Sequence, residues 1–285
     1  FANNGTYLSW NRYQCYTYYI MDMAYHNGFI YVASLYSSWI YRINATTGAC
    51  DMMGNRIPSG NRPNKLEIKN NLLYFTNQYQ GLQIYDISSS TPTMRGRNVI
   101  NRTHSRYSYA MSIDASASNM YFYYGSTIHV HRMNNGIPQS SHYAAPRIYL
   151  NNVYGMSAHP TDDNILYVSR YSNHNITKLQ FTNSSKTSIR QQTIKGRCCN
   201  GTSNASTQYL YYPYDVRVDT NNNRVMITSY YGHNVVAYDL NLNFLKTIGT
   251  SPKSRMDGAH EAIKAIVTDS SLTAGVNFGF AYWSS

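Results

Sequence analysis

The chain has 285 residues and a formal net charge of +11, from 24 basic against 13 acidic side chains; charged residues make up only 13%, while tyrosine alone occupies 30 positions. No apolar run approaches the ~20 residues a helix needs to span a bilayer, and no nucleic-acid motif, Gly-rich phosphate loop or Gly-x-Ser-x-Gly elbow accompanies the charge, which sets aside helical membrane proteins, nucleic-acid readers and the common nucleotide and serine chemistries. The positive field favours acidic partners, sulfated or uronic polysaccharides among them.

Six short runs recur along the chain. They open at Tyr19 (Tyr-Ile-Met-Asp-Met), Asn64 (Asn-Lys-Leu-Glu-Ile), Tyr109 (Tyr-Ala-Met-Ser-Ile), Tyr154 (Tyr-Gly-Met-Ser-Ala), Tyr214 (Tyr-Asp-Val-Arg-Val) and Glu261, the last ending at Ala265. By residue number the anchors stand 45, 45, 45, 60 and 47 residues apart. Repeats of this length mark stacked or ringed supersecondary units. A second apolar run follows each of the first five anchors: Ile30-Tyr31-Val32, Leu73-Tyr74-Phe75, Met120-Tyr121-Phe122, Leu166-Tyr167-Val168 and Val225-Met226-Ile227. A third follows in turn: Ile40 to Ile43, Ile84 to Ile87, Ile128 to Val130, Ile176 to Leu179 and Val235 to Tyr238. Fourth runs are weaker, Phe244 to Ile248 being the clearest. Short β-branched and aromatic runs separated by Gly, Asn, Ser and Asp read as strands joined by hairpins.

Four strands per unit predict an all-β fold, a six-bladed β-propeller with four-stranded antiparallel blades. The expected blades are 16–60, 61–106, 107–150, 151–210, 211–257, and 258–285 together with 1–15, in a single domain over 1–285. The N-terminal segment is expected to pair into the last blade and close the ring, which removes exposed sheet edges. The stretch from Pro213 to Gly249, Pro-x-x-Val-x-Val-Asp…Val-x-Ile…Val-Val-x-Tyr-Asp…Phe-Leu-x-Thr-Ile-Gly, resembles one repeat of the NHL family of propellers. Pro63 with Leu66-x-Ile68 echoes its start. The resemblance covers the chain as an architecture and is sharp only in the fifth unit. It implies the fold and leaves function open, because NHL propellers include enzymes, substrate-binding arms and scaffolds.

Equivalence of repeat positions places Tyr19, Asn64, Tyr109, Tyr154, Tyr214 and Glu261 around one channel mouth, as a collar of phenols, one amide and one carboxylate. Such a collar either packs the blades together or binds a sugar, with aromatic faces on the pyranose and hydroxyls at its rim. The competing expectation is a metal-dependent hydrolase or lyase. Some propellers that the fold resembles, of the lactonase type, hold a divalent ion at this mouth, which here implies Glu261, Asn64 and Asp215 around calcium with His260 alongside. Calcium wants six to eight oxygens, yet the chain holds only two Glu, and four anchors carry Tyr where acids are needed. No cofactor is therefore expected. His129-x-His131 puts two imidazoles on one strand face, too few for a structural zinc site.

Arg95, Arg97, Arg102 and Arg106 form the densest basic cluster and read as a solvated loop between the second and third blades. The chain begins at Phe1, so any signal peptide is expected to be absent already from this numbering. Sequons fall mostly in predicted turns, with Asn44, Asn101, Asn175 and Asn200 the favoured glycan sites. Four cysteines are an even set. A Cys15–Cys50 bridge ties the N-terminal segment to the first blade; Cys198 and Cys199 either bridge each other or pair elsewhere, including between subunits. Together these predict an extracellular, glycosylated, non-catalytic propeller for binding or assembly in a matrix, sheath or filament. Its expected partners are glycans, acidic polysaccharide or like chains.

Overall fold

The computed structural model describes residues 19–249 apart from 37–38, 51–56, 59–61, 79, 98–109, 143–147, 183–185, 187 and 199–207. Among them lie five antiparallel sheets, each with its strands in chain order. The first holds β1 (Ile20–His26), β2 (Phe29–Ser34), β3 (Trp39–Asn44) and β4 (Ile57–Pro58); the second β5 (Pro63–Lys69), β6 (Leu72–Asn77), β7 (Gly81–Asp86) and β8 (Thr93–Arg97). The third holds β9 (Met111–Ile113), β10 (Asn119–Tyr124), β11 (Thr127–Asn134) and β12 (Ile137–His142), with β13 (Ile148–Tyr149) also paired to β11. The fourth is β14 (Val153–Ala158), β15 (Ile165–Arg170), β16 (Asn175–Phe181) and β17 (Ile189–Lys195), and the fifth is β18 (Pro213–Asp219), β19 (Arg224–Ser229), β20 (Asn234–Asp239) and β21 (Phe244–Ile248). The described residues thus form five blades where six were expected. The sixth, 258–285 with 1–15, and the ring closure it was to supply lie outside them.

Local chemistry explains the hairpins. Asn27 and Gly28 between β1 and β2 both have positive φ, as do Asn70 and Asn71 between β5 and β6. That is the conformation a two-residue hairpin needs and one that Asn and Gly adopt at least cost. Elsewhere an aspartate ties the turn: Asp239 Oδ1 accepts the N–H groups of Asn241 and Asn243, each at 2.8 Å.

The apolar core lies between consecutive blades. Leu66, Leu73 and Phe75 of the second blade pack against Ala33, Ile40 and Tyr31 of the first. Tyr121, Val130 and Ile128 of the third meet Met156, Leu166 and Val168 of the fourth, and Tyr167 and Ile176 meet Val216, Val225 and Ile227 of the fifth. Fully burying such a side chain stabilises by about 1.5–3 kcal/mol. The second-run tyrosines add polar bolts across these seams. Tyr74 Oη donates to the Gly136 carbonyl at 2.7 Å, Tyr121 to that of Asp163 at 3.3 Å and Tyr167 to that of Leu240 at 2.6 Å, in each case on the next blade. Burial pushes all three phenols well above the ordinary tyrosine range. The first and fifth blades also bury apolar clusters on their other faces, Val32, Tyr41 and Ile43 in one and Met226, Val235 and Ala237 in the other.

Arg95 and Arg97 do not sit in a loop: both lie on β8, the outer strand of the second blade, and are exposed. The strand escaped notice because nearly all of its residues face solvent, so no apolar alternation marks it. Arg102 and Arg106 are outside the described residues.

Candidate binding face and ion-paired channel

The innermost strands β1, β5, β9, β14 and β18 run side by side in that order. All but β9 start irregularly. Register slips between Ile20 and Asp22, Pro63 and Leu66, Val153 and Gly155, and Pro213 and Val216. Such bulges re-aim side chains at the start of a strand. The pairing with the second strands also fixes equivalence: Ile20, Pro63, Val153 and Pro213 all face the last residue of the second strand. Met21 is therefore the counterpart of Asn64, Tyr154 and Tyr214. Tyr19 stands two residues earlier and corresponds to Tyr212; both have positive φ, and both carbonyls accept an N–H from the loop after the second strand. The collar expected from sequence is thus shifted in its first member.

By the same register, two further levels follow the anchors: the upper holds Asp22, Lys65, Ala110, Gly155 and Asp215, and the lower Ala24, Glu67, Ser112, Ser157 and Arg217. Arg217 binds three carboxylates. Its Nη2 donates to Asp22 at 2.8 and 3.0 Å, its Nε to Asp215 at 3.2 Å and its Nη1 to Glu67 at 3.1 Å. Lys65 Nζ lies 3.6 Å from Asp215 and 3.9 Å from Asp22. The carboxylates also accept backbone donors: Met23 and Leu66 N–H on Asp22, and Val216 N–H on Asp215. The same pattern ties blade to blade at the lower level, where Ser112 Oγ accepts the Ala158 N–H at 2.9 Å and Ser157 Oγ that of Val218 at 3.1 Å.

Burial raises the Asp215 carboxyl, but Arg217 and Lys65 outweigh it and hold the group below its usual range. Burial also lowers Arg217, and its three carboxylates reverse the sign and raise it. For Glu67 burial wins over Arg217, with the charges of Asp22 and Asp215 adding to it, and the carboxyl rises to about 7. A raised carboxyl means that the folded state holds the proton more tightly than the unfolded one. Its contribution is full below about pH 4.5 and is lost as pH rises through about 7. Asp215 works in the opposite sense, losing its contribution as pH falls below the ordinary aspartate range. We expect the wild-type Tm to fall between pH 5 and 8, and Glu67→Gln to flatten that slope, as differential scanning calorimetry would read. An unchanged slope in the variant would refute the assignment.

A cavity of about 190 Å³ lies beneath the ion cluster, lined by Glu67, Arg217, Ser112, Ser157 and Lys69, with His159 at its side. His159 Nδ1 accepts the N–H groups of Thr161 and Asp162, and burial lowers its imidazole.

The opposite end of the axis is the anchor face. Because neighbouring strands alternate in direction, it also receives every loop between second and third strands. Seven tyrosines join there across the fourth and fifth blades. Tyr154 stacks on Tyr171 at 4.6 Å between ring centroids and lies 5.3 Å from Tyr214. Tyr171 in turn meets Tyr212 at 4.6 Å and Tyr230 at 6.3 Å. Tyr231 meets Tyr230 at 4.7 Å, Tyr212 at 5.0 Å and Tyr211 at 5.6 Å. His174 packs edge-on to Tyr212 at 4.5 Å, and its Nδ1 accepts that residue's N–H. Burial pushes the Tyr171 and Tyr214 hydroxyls up to about 12, so they remain neutral donors at any physiological pH. Six of the rings are half-buried and Tyr231 is 44% exposed. Tyr19 and Tyr36 form a second pair on this face, edge-on at 5.0 Å, with Tyr36 63% exposed. Arg62 and Arg170 flank the anchors, Arg62 donating to Gln78 Oε1 and Arg170 to the Asn151 carbonyl.

Sequence reasoning named Tyr154 and Tyr214 but missed Tyr171, Tyr211, Tyr212, Tyr230 and Tyr231. A signal existed. Tyr36, Tyr79, Tyr124, Tyr171 and Tyr231 recur just after each second run, as a repeat offset from the anchors. Asn64 is half-buried on β5. Asp215, a carboxylate of the metal reading, is buried and bound to Arg217 and Lys65. Tyr109, His260, Glu261, Cys15, Cys199, Asn101 and Asn200 lie outside the described residues. Cys50 is disulfide-bonded and Cys198 is exposed. The Asn44 Oδ1 caps the turn at Thr46 and Thr47, and the Asn175 side chain donates to the Asn173 carbonyl.

Radial four-stranded blades around an ion-paired axis define this chain as a β-propeller, here with a tyrosine-lined face. A chain in the crystal structure of a nidogen/laminin complex has a similar fold, with a TM-score of 0.54 and 13% identity over 83% of this chain and 81% of that one. No protein-family model matches the chain, and no curated protein does. The likeness to the NHL repeat therefore rests on the residues of the fifth blade and on the echo at Pro63, Leu66 and Ile68 in the second.

Proposed function

We propose that this chain is a secreted, glycosylated, non-catalytic β-propeller that binds an acidic polysaccharide within an extracellular structure through its tyrosine face. The observation that carries the reading is the seven-ring cluster. A protein that needs tyrosine only for packing buries it, as at Tyr74, Tyr121 and Tyr167. The face instead leaves six of its tyrosines half-buried and Tyr231 exposed, which suits stacking on sugar faces and bonding to their rims. The net charge of +11 and the nearby Arg62 and Arg170 favour uronate or sulfate groups. The neighbour of similar fold was crystallised in a nidogen/laminin complex, which supports binding rather than turnover as the role of the scaffold.

Ring closure by a sixth blade belongs to the same proposal, supported by the apolar clusters on the far faces of the first and fifth blades. The test of the binding face is Tyr171→Ala with Tyr231→Ala, read by calorimetry against a polyuronate and a neutral glucan. Loss of stacking at two rings should weaken polyuronate binding by about five- to 150-fold, at ~0.5–1.5 kcal/mol per aromatic contact. Equal binding by the variant and the wild type would remove the face from the account. Concentration-dependent sedimentation without glycan binding would favour assembly of like chains.

A further inference from the structure

We propose that the tyrosine cluster is an oxidative cross-linking site, through which Tyr231 joins this chain covalently to a second copy of itself. Removing one electron and one proton from a phenol leaves a radical with spin on the ring carbons ortho to oxygen. Two such radicals couple through an ortho–ortho carbon–carbon bond, and each ring regains its aromaticity as the displaced ortho hydrogen returns to oxygen. The oxidant is hydrogen peroxide acting through a haem peroxidase supplied from outside. Two tyrosines and one peroxide then give one dityrosine and two waters, so atoms and electrons balance.

Geometry, not tyrosine content, selects the position. Tyr231 contacts Tyr230, Tyr212 and Tyr211 at centroid distances of 4.7, 5.0 and 5.6 Å, and Tyr230 contacts Tyr171 and Tyr214 at 6.3 and 5.9 Å. A radical formed on any of these rings has neighbours in contact to pass to, and it reaches solvent most readily at Tyr231, the one member exposed by as much as 44%. There its proton leaves to water and its ortho carbons can meet another molecule. Tyr25 is 45% exposed and sits toward the far end of β1, on another blade, which makes it the matched control for exposure without the cluster. The site stands on ring geometry alone and does not depend on the polysaccharide reading.

The test treats the full chain with horseradish-type peroxidase and limiting peroxide, without glycan. Dimer is read on reducing denaturing gels, dityrosine by its fluorescence, and linked peptides by mass spectrometry. Phenylalanine keeps the ring packing, so the variants are expected to fold. Tyr231→Phe should lower the dimer yield by more than half, Tyr25→Phe should leave it unchanged, and the leading linked peptide should contain Tyr231 from both copies. Tyr171→Phe with Tyr230→Phe should also lower the yield although Tyr231 remains. Linked peptides led by Tyr25 or Tyr36, equal losses in the two single variants, or coupling confined within one chain would overturn the proposal.

Discussion

Replacing Arg217 by leucine should cost the fold about 3–5 kcal/mol, the range seen when one partner of a buried ion pair is removed and the other charge is left without compensation. Here the residue left behind is a set of three. Asp22, Asp215 and Glu67 converge on the guanidinium within 3.2 Å and would keep Lys65, 3.6 Å from Asp215 and 3.9 Å from Asp22, and Lys69, whose charge acts on Glu67, as nearby cations. With typical domain stabilities of about 5–15 kcal/mol, the loss is a large share of the total. Urea unfolding of the wild type and variant measures it. A second substitution separates charge from packing: adding Asp22→Asn to Arg217→Leu removes part of the uncompensated charge and should recover part of the loss. A cost within about 0.5 kcal/mol, as for an ordinary surface residue, would mean that the cluster does not hold the blades together.

Gly155→Ala should cost about 1–3 kcal/mol, through overpacking and not through backbone conformation. A methyl group at this position would lie 2.6 Å from Asp215 Oδ1, and 2.7 Å from both the Asp215 Cα and the Val216 nitrogen. Two of these are backbone atoms of β18, so no side-chain rotation relieves the clash. Position 155 is the upper-level counterpart of Asp22, Lys65 and Asp215, and its missing side chain is what lets β14 approach β18 while Asp215 turns toward Arg217. The same substitution should therefore disturb the ion cluster and show non-additive behaviour with Arg217→Leu in a double-mutant cycle. Full additivity would separate the two features and contradict this reading of Gly155.

Strand positions were the most legible part of the chain. Leu73-Tyr74-Phe75 and Leu166-Tyr167-Val168 read as strands because buried aliphatic and aromatic side chains dominate them, and they lie within β6 and β15. Where burial fades the signal fades too: β8, with Thr93, Met94, Arg95 and Arg97 exposed, carries no apolar period. Register at the start of the inner strands was misread for another reason. A slip of two residues keeps the alternation of a strand intact, so Tyr19 looked like the partner of Tyr214 when Met21 is. The channel was legible in part, because Asp22, Lys65, Glu67, Asp215 and Arg217 interrupt otherwise apolar inner strands in a chain poor in charge. Which charges meet is not written in any one strand. Arg217 and Asp22 stand 195 residues apart and come together only when the blades are arranged about one axis.

The tyrosines divide by the end of the blade they occupy. Those in the middle of second strands, at Tyr74, Tyr121 and Tyr167, bolt one blade to the next, while those at the anchor end gather on a face where they are half-buried or, at Tyr36 and Tyr231, exposed. Composition alone merges these two populations into one excess of tyrosine.

Hydrogen–deuterium exchange of the full chain, with and without a polyuronate, tests the central claim most directly. The account predicts added protection in 170–175, 208–214 and 229–233, with the cavity end of the axis unchanged. Protection elsewhere with none at these three segments, under conditions where binding is saturated, would contradict it.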